Sequence, residues 1–169
     1  MEILIRAVEA KDAREIHEIR IMDKVRDNIL ATTGESIAKV EEFFKASLGS
    51  GLQFVAISDE KVVGQIGMFI EKNPRCAHIG AIGMMIRSDY QGKGIGSKLL
   101  EKILELADDY YMLRRVELTV FTSNEAAINL YRKYGFVIEG TKKYGAVRKG
   151  RYEDLYYMGR YRHLPVEDQ

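Results

Sequence analysis

Residues 86–100 read IRSDYQGKGIGSKLL, and Gly92, Gly94 and Gly96 alternate within it. Glycine at this density costs conformational order, so something must approach the backbone closely there. An apolar strand-like run precedes the glycines, and Ile95, Leu99, Ile103, Leu106 and Ala107 follow at helical spacing. A strand that ends in bare backbone N–H groups, followed by a helix start, is the chemistry of an anion site, most naturally for phosphate or pyrophosphate. Two familiar phosphate loops do not fit. G-x-G-x-x-G, counted from Gly92 and Gly94, would put its last glycine on Ser97, and Walker A needs Lys and then Ser or Thr after its last glycine, whereas Gly96 is followed by Ser97 and Lys98. A glycine turn with no ligand is the plainer alternative, but three alternating glycines with Lys93 and a clean helix favour the anion site.

The elements needed to place this loop can be read along the chain. Residues 3–8 read as a strand. Asp12 with Glu15 suggests a capping box ahead of a helix bearing Ala13, Ile16 and Ile19. Thr32 with Glu35 offers a second helix start, with Ile37, Val40, Phe43 and Phe44 behind it and Gly49 and Gly51 at its end. Residues 52–58 and 62–71 form a hairpin about Asp59, Glu60 and Lys61. Pro74 breaks the chain, and 77–87 is a strand interrupted by Gly80 and Gly83, a sign of a bulge or close approach. After the glycine helix come a strand at 115–121, a helix from Asn124 to Tyr134 closed by Gly135, and two closing strands. The order is β, two helices, three strands, helix, strand, helix, two strands, a mixed α+β sheet with helices on its faces.

Composition narrows the classes. The chain of 169 residues suits a single domain over 1–169, and its net charge of +1 gives no sign of a nucleic-acid partner. Cys76 is the single cysteine, which excludes an intrachain disulfide and points to a reducing compartment. No secretory leader or run of ~18 apolar residues is seen, so a cytoplasmic protein without membrane partners is expected. No metal is expected.

QGKGIG matches the Q/R-x-x-G-x-G/A signature of the GNAT acetyltransferase superfamily, and ELTVFTSNEAAINLYRKYGF is similar to that family's later strand–helix segment. The element order agrees along nearly the whole chain. RKGRYEDLYYMGR further resembles small bacterial N-acetyltransferases acting on amino acids or protein amino termini. The resemblance implies a mixed, mostly antiparallel sheet with about four helices and two splayed central strands, 78–87 and 115–121, that receive acetyl-CoA. It implies that backbone groups of Met84, Met85 and Ile86 hold the pantetheine arm, and that the amides of Gln91, Gly92, Lys93, Gly94, Ile95, Gly96 and Ser97 hold the diphosphate. The side chains of Met84 and Met85 are read as packing.

By the same resemblance Asn124 contacts the cofactor arm; as a residue it is equally a helix cap. Arg132 and Lys133 read better as a solvated face than as phosphate ligands. Tyr131 is implied to be the general acid that protonates the leaving thiolate. On its own it would read as a core tyrosine. The family's usual glutamate bases do not carry over: the stretch Gly80, Ala81, Ile82 has no carboxylate, and the position five before Asn124 is Thr119. His78, Glu71 and Glu117 lie near in sequence. His78 reads as structural, and Glu117 is expected to be out of phase and to face the other side of the sheet. No base is assigned. The implied acceptor is a primary amine, an amino acid or a peptide amino terminus, recognised by 23–35 and the tyrosine-rich tail, which could equally be strand residues or a homodimer surface. The alternatives are a non-catalytic acetyl-CoA sensor and an acetyltransferase for polyamines or antibiotics.

Overall fold

In the computed structural model, residues 2–31, 34–47 and 52–162 are described. The strands are β1 (Leu4–Ala7), β2 (Gln53–Ser58), β3 (Lys61–Ile70), β4 (Ile79–Ile86), β5 (Arg115–Phe121), β6 (Val137–Arg148) and β7 (Arg151–Tyr161). The helices are α1 (Ala13–Ile21), α2 (Asp23–Arg26), α3 (Ile37–Ser47), α4 (Ile95–Glu105) and α5 (Glu125–Lys133). One mixed sheet carries the strands in the order β1-β2-β3-β4-β5-β7-β6. It is mostly antiparallel, with β4 and β5 parallel through Ile79–Ala81 and Arg115–Glu117. The expected order of strands and longer helices holds, with short turns added that are too brief for periodicity to reveal: α2, 3-10 turns at Ala10–Asp12, Pro74–Cys76 and Ser88–Tyr90, and a π turn at Leu106–Tyr110. Among the described residues no helix is long and apolar enough to cross a membrane.

The chain falls into two compact units: the described residues of Met1–Met68 with Gly83–Leu104, and those of Phe69–Ile82 with Glu105–Gln169. In the first unit, Ile16 and Ile19 of α1, Val40 and Phe44 of α3, and Val55, Val62 and Met85 of the strands form one buried cluster. The β2–β3 hairpin closes through Asp59 (φ 48°) and Glu60 (φ 61°), with Ser58 opposite Lys61. Both central residues are left-handed, the geometry of a two-residue hairpin turn that follows the strands' twist. Lys61 therefore belongs to the strand and not to the turn.

Helix starts correct two expectations. Asp12 does not pair with Glu15 in a capping box. Its carboxylate accepts the Glu9 N–H at 2.7 Å and a two-pronged Arg6 guanidinium at 2.7 and 2.8 Å, while Glu15 accepts the distant Val62 N–H at 2.8 Å. Asp12 instead closes a capping box with Glu9 over the short 3-10 turn Ala10–Asp12, and the Arg6 fork shares the same carboxylate. At α3, Ser36 Oγ accepts the Lys39 N–H at 3.3 Å. Thr32, Gly49 and Gly51, expected at the ends of this helix, lie outside the described residues.

The second unit is built on the β6–β7 hairpin, with β7 also paired along all of β5. Lys149 (φ 50°) and Gly150 (φ 74°) turn that hairpin. On β5, Val116, Leu118 and Val120 are buried and alternate with Arg115, Glu117 and Thr119. Glu117 therefore shares a face with Thr119, contrary to expectation, because residues two apart in a strand point the same way.

Candidate active site

In the first unit, the strand-to-helix turn is built from both ends. Gln91 Nε2 donates to the Ile86 carbonyl at 3.2 Å, which ties the loop to the last residue of β4. Arg87 N–H bonds the Val63 carbonyl at 2.9 Å, holding the strand end against β3. Gly92 (φ 74°) and Gly94 (φ 80°) both adopt left-handed backbone, and a Cβ built on either meets no atom within 4 Å. The glycines are thus required by conformation, not by crowding within the chain, and the space before them is open. An ordinary residue would pay about 1–2 kcal/mol at each.

The first bond of α4 runs from Lys98 N–H to Gly94 C=O at 3.3 Å. The amides of Ile95, Gly96 and Ser97 precede it and so have no acceptor within the helix. With the positive end of the helix dipole behind them, they can hold an anion. The helix is fixed from beneath: Ile95, Leu99, Leu100 and Ile103 are fully buried. A Cβ on Gly64 of β3 would come within 2.8 Å of Ile86, 3.1 Å of Leu99 and 3.3 Å of Ile95, so the bare Gly64 lets the first turns of α4 lie close on the sheet. Lys93 Nζ lies 4.6 Å from the centroid of the Tyr90 ring. Met85 is buried in the core cluster, and Met84 and Ile86 are half-buried. The Ile86 carbonyl is already engaged by Gln91, so sequence reasoning missed that this glutamine shapes the loop through its side chain.

In the second unit, Asn124 begins α5. Its Oδ1 accepts the Ala127 N–H at 3.2 Å, and its Nδ2 is not used by that cap. Gly135 (φ 88°) closes the helix, its N–H donating to the Arg132 carbonyl at 3.0 Å. Tyr131 is 7% exposed, and its ring lies 5.7 Å from that of Phe136. Burial pushes its hydroxyl up to about 12. The phenol therefore keeps its proton throughout the physiological range and is available as a donor. Arg132 and Lys133 are exposed, and Lys133 lies over the Tyr134 ring at 5.7 Å.

The base candidates fare poorly. Glu117 accepts from Arg115 Nε at 2.8 Å, and the same guanidinium grips Glu139 at 2.5 and 2.8 Å. His78 and Glu71 are exposed, and the carbonyl of His78 accepts from Arg114 and Arg115 N–H groups. In the region expected to recognise the acceptor, Arg20 grips Glu35 at 2.5 and 3.1 Å, and Arg26 meets Asp23 at 2.6 Å. In the tail, Tyr144 and Tyr152 are about three-quarters exposed, at 75% and 72%, and stack edge to face at 5.6 Å.

Comparison with known proteins agrees with this geometry. The Acetyltransferase (GNAT) family profile matches residues 12–136. The chain is 37% identical over 159 residues to the L-amino acid N-acetyltransferase AaaT of Escherichia coli K12, covering 94% of this chain and 98% of that protein. A GNAT-family acetyltransferase from Streptococcus pneumoniae superposes with a TM-score of 0.84 at 33% identity, over 95% of this chain and 99% of that one. Spermidine N-acetyltransferase from Vibrio cholerae, solved with CoA and spermine, gives a TM-score of 0.82 at 25% identity, over 94% and 95% of the two chains. The chain belongs to the GNAT family and is an N-acetyltransferase.

Proposed function

We propose that this enzyme transfers the acetyl group of acetyl-CoA to the α-amine of an amino acid or of a peptide amino terminus, with residues 1–169 serving as one N-acetyltransferase domain and no metal. The observation that carries the cofactor assignment is the pair of left-handed glycines opening onto the free amides at the start of α4. In this reading the amides of Gln91 to Ser97 hold the diphosphate of the coenzyme. Backbone groups of Met84, Met85 and Ile86 meet the pantetheine arm, Ile86 through its N–H because Gln91 occupies its carbonyl. Asn124 contacts the arm through Nδ2 while Oδ1 caps α5.

The reaction is a direct attack. The neutral amine adds to the thioester carbonyl, and a tetrahedral oxyanion forms that a backbone N–H can stabilise. The C–S bond then breaks, and the Tyr131 hydroxyl supplies a proton to the departing sulfur. The tyrosinate recovers a proton from the new acetylated nitrogen. A thiol near ~8.5 is a stronger acid than this buried phenol, so Tyr131 acts chiefly by hydrogen bonding as charge builds on sulfur, with full transfer completed by the proton from nitrogen.

Two observations favour an α-amine. The likeness to AaaT spans nearly the whole of both proteins. The carboxylates of Asp23 and Glu35, in the region proposed to meet the acceptor, are already paired with Arg26 and Arg20, which lowers their pull on a second cation. An α-amine near ~8 also supplies a usable neutral fraction without a strong base, whereas a side-chain amine near ~10 does not. Calorimetry tests the cofactor site: acetyl-CoA should bind at micromolar to sub-millimolar affinity, about −8 to −4 kcal/mol, and adenosine far more weakly. Equal affinities would remove the diphosphate from the loop.

A further inference from the structure

Gln53 and Gln65 are buried side chains on β2 and β3, 4% and 9% exposed, in a core that is otherwise almost wholly apolar. The hairpin register sets Gln53 opposite Gly67 and Val55 opposite Gln65, so all four share one face. Val55 on that face packs into the cluster with α1, α3 and Met85. Gln65 Nε2 donates to Gln53 Oε1 at 2.8 Å, which leaves Gln53 Nε2 buried without a partner. It is the one such side-chain atom among the described residues. A buried donor without an acceptor is costly, and a pair of apolar residues here would avoid the cost entirely.

The backbone around the pair is shaped to accept it. Gly67 has no side chain, and one could not be added: a Cβ there would overlap the Gln53 carboxamide, 2.6 Å from Nε2 and 2.7 Å from Cδ. Gln53 thus lies flat across β3, the strand that neighbours β4. On β4, Gly83 shares the face of Met85 by alternation. It is exposed, and a Cβ built on it meets nothing within 4 Å. The same face of the first unit thus carries the shielded, unpartnered donor and, at Gly83, a surface open to solvent directly before the Met84–Ile86 segment.

We infer that Gln53 is a specificity-determining residue: its Nε2 donates to the oxygen, carboxylate or peptide carbonyl, that sits next to the α-amine of the acceptor, and Gln65 orients it by holding Oε1. This rests on the proposed α-amine acceptor and deepens it. A polyamine has no such oxygen, so the same donor selects against polyamines by remaining unsatisfied when one is bound.

The test compares three acceptors at neutral pH: the best of the common L-amino acids, its carboxamide, and the amine with the same side chain but neither oxygen. They are assayed with wild type, Gln53→Met, which preserves volume, and Gln53→Glu, which replaces the donor with an acceptor. Acetyl-CoA affinity by calorimetry serves as a check on folding. Gln53→Met should raise KM about tenfold for the amino acid and its amide, the size expected for one hydrogen bond, and leave the bare amine unchanged. Gln53→Glu should penalise the free amino acid more than its amide, through repulsion of the carboxylate. Equal KM changes for all three acceptors, or none, with acetyl-CoA binding intact, would overturn the role of Gln53 and leave the α-amine reading standing. Should both variants lose acetyl-CoA binding, the pair is structural and the proposal fails. Wild type that acetylates no α-amine at all removes the α-amine reading and this inference together, a result visible before any variant is made.

Discussion

At the scale of single residues, the account stands on Tyr131. Its burial and its elevated hydroxyl keep it protonated, so what it can do is donate. Tyr131→Phe should lower kcat by ~10²-fold with little change in acetyl-CoA affinity, since only the hydroxyl is removed and the ring stays. Steady-state kinetics beside calorimetry separates the two, and unchanged turnover would return Tyr131 to packing against Phe136. The same burial has a consequence for stability. The unfolded phenol ionises near ~10 and the folded one at about 12, so stability is whole below pH ~10 and falls as pH rises through the folded value. Tyr131→Phe should therefore be more resistant than wild type to alkaline unfolding, read by circular dichroism. Tyr131 and Asn124 could be nominated from the sequence because their types fall at positions of a recognisable local segment, and the structure shows Asn124 capping α5. Gln53 was not: LQFVAIS reads simply as a strand, and a buried amide shows only when its partner twelve residues away and the bare Gly67 are seen.

At the scale of elements, the proposed cofactor surface rests on the glycine turn at the end of β4. Gly94→Val should abolish acetyl-CoA binding in calorimetry while the far-ultraviolet circular dichroism stays near that of wild type, because the open space around Gly94 leaves the fold unclashed and only the left-handed backbone is lost. Gly64→Val acts at a distance. It pushes on Ile86, Leu99 and Ile95 beneath α4, and should weaken acetyl-CoA and lower Tm together. The strands, both hairpins, α4 and the Gly135 stop follow from alternation, turn chemistry and helical spacing, all of which are local. What escaped the sequence is each side chain's choice of partner: Glu15 bonding the distant Val62, Asp12 taking Arg6 and the Glu9 N–H instead of Glu15, and Gln91 reaching back to Ile86. The face of Glu117 was misjudged by a phase error, and its true constraint, the Arg115 guanidinium shared with Glu139 on β6, depends on strand pairing that one segment cannot show.

At the scale of the whole molecule, buried charge sets the acid limit. Burial alone would raise the Asp12 carboxyl, but the hydrogen bonds from Arg6 and the Glu9 N–H outweigh it and hold the group below its ordinary value. That stability is present above the unfolded carboxylate value of ~3.9 and is lost as pH falls through the folded one. Asp12→Asn should cost about 1.5–3 kcal/mol at neutral pH, by removing the charge that the Arg6 fork grips, and should flatten the acid limb of the stability profile. The family and its fold were legible from QGKGIG and the segment around Asn124; the match over residues 12–136 shows the family, and the sheet order with the likeness to a solved GNAT structure shows the fold. The acceptor was less legible, because it is set by side chains from several elements, none of which forms a continuous motif. The most direct test of the account is therefore the acceptor itself: release of free CoA thiol from acetyl-CoA at neutral pH, with L-amino acids and short peptides set against spermidine and the ε-amine of α-blocked lysine. Thiol release that is fast with α-amines and near background with the others is the predicted result. Clear preference for spermidine or the ε-amine would contradict it.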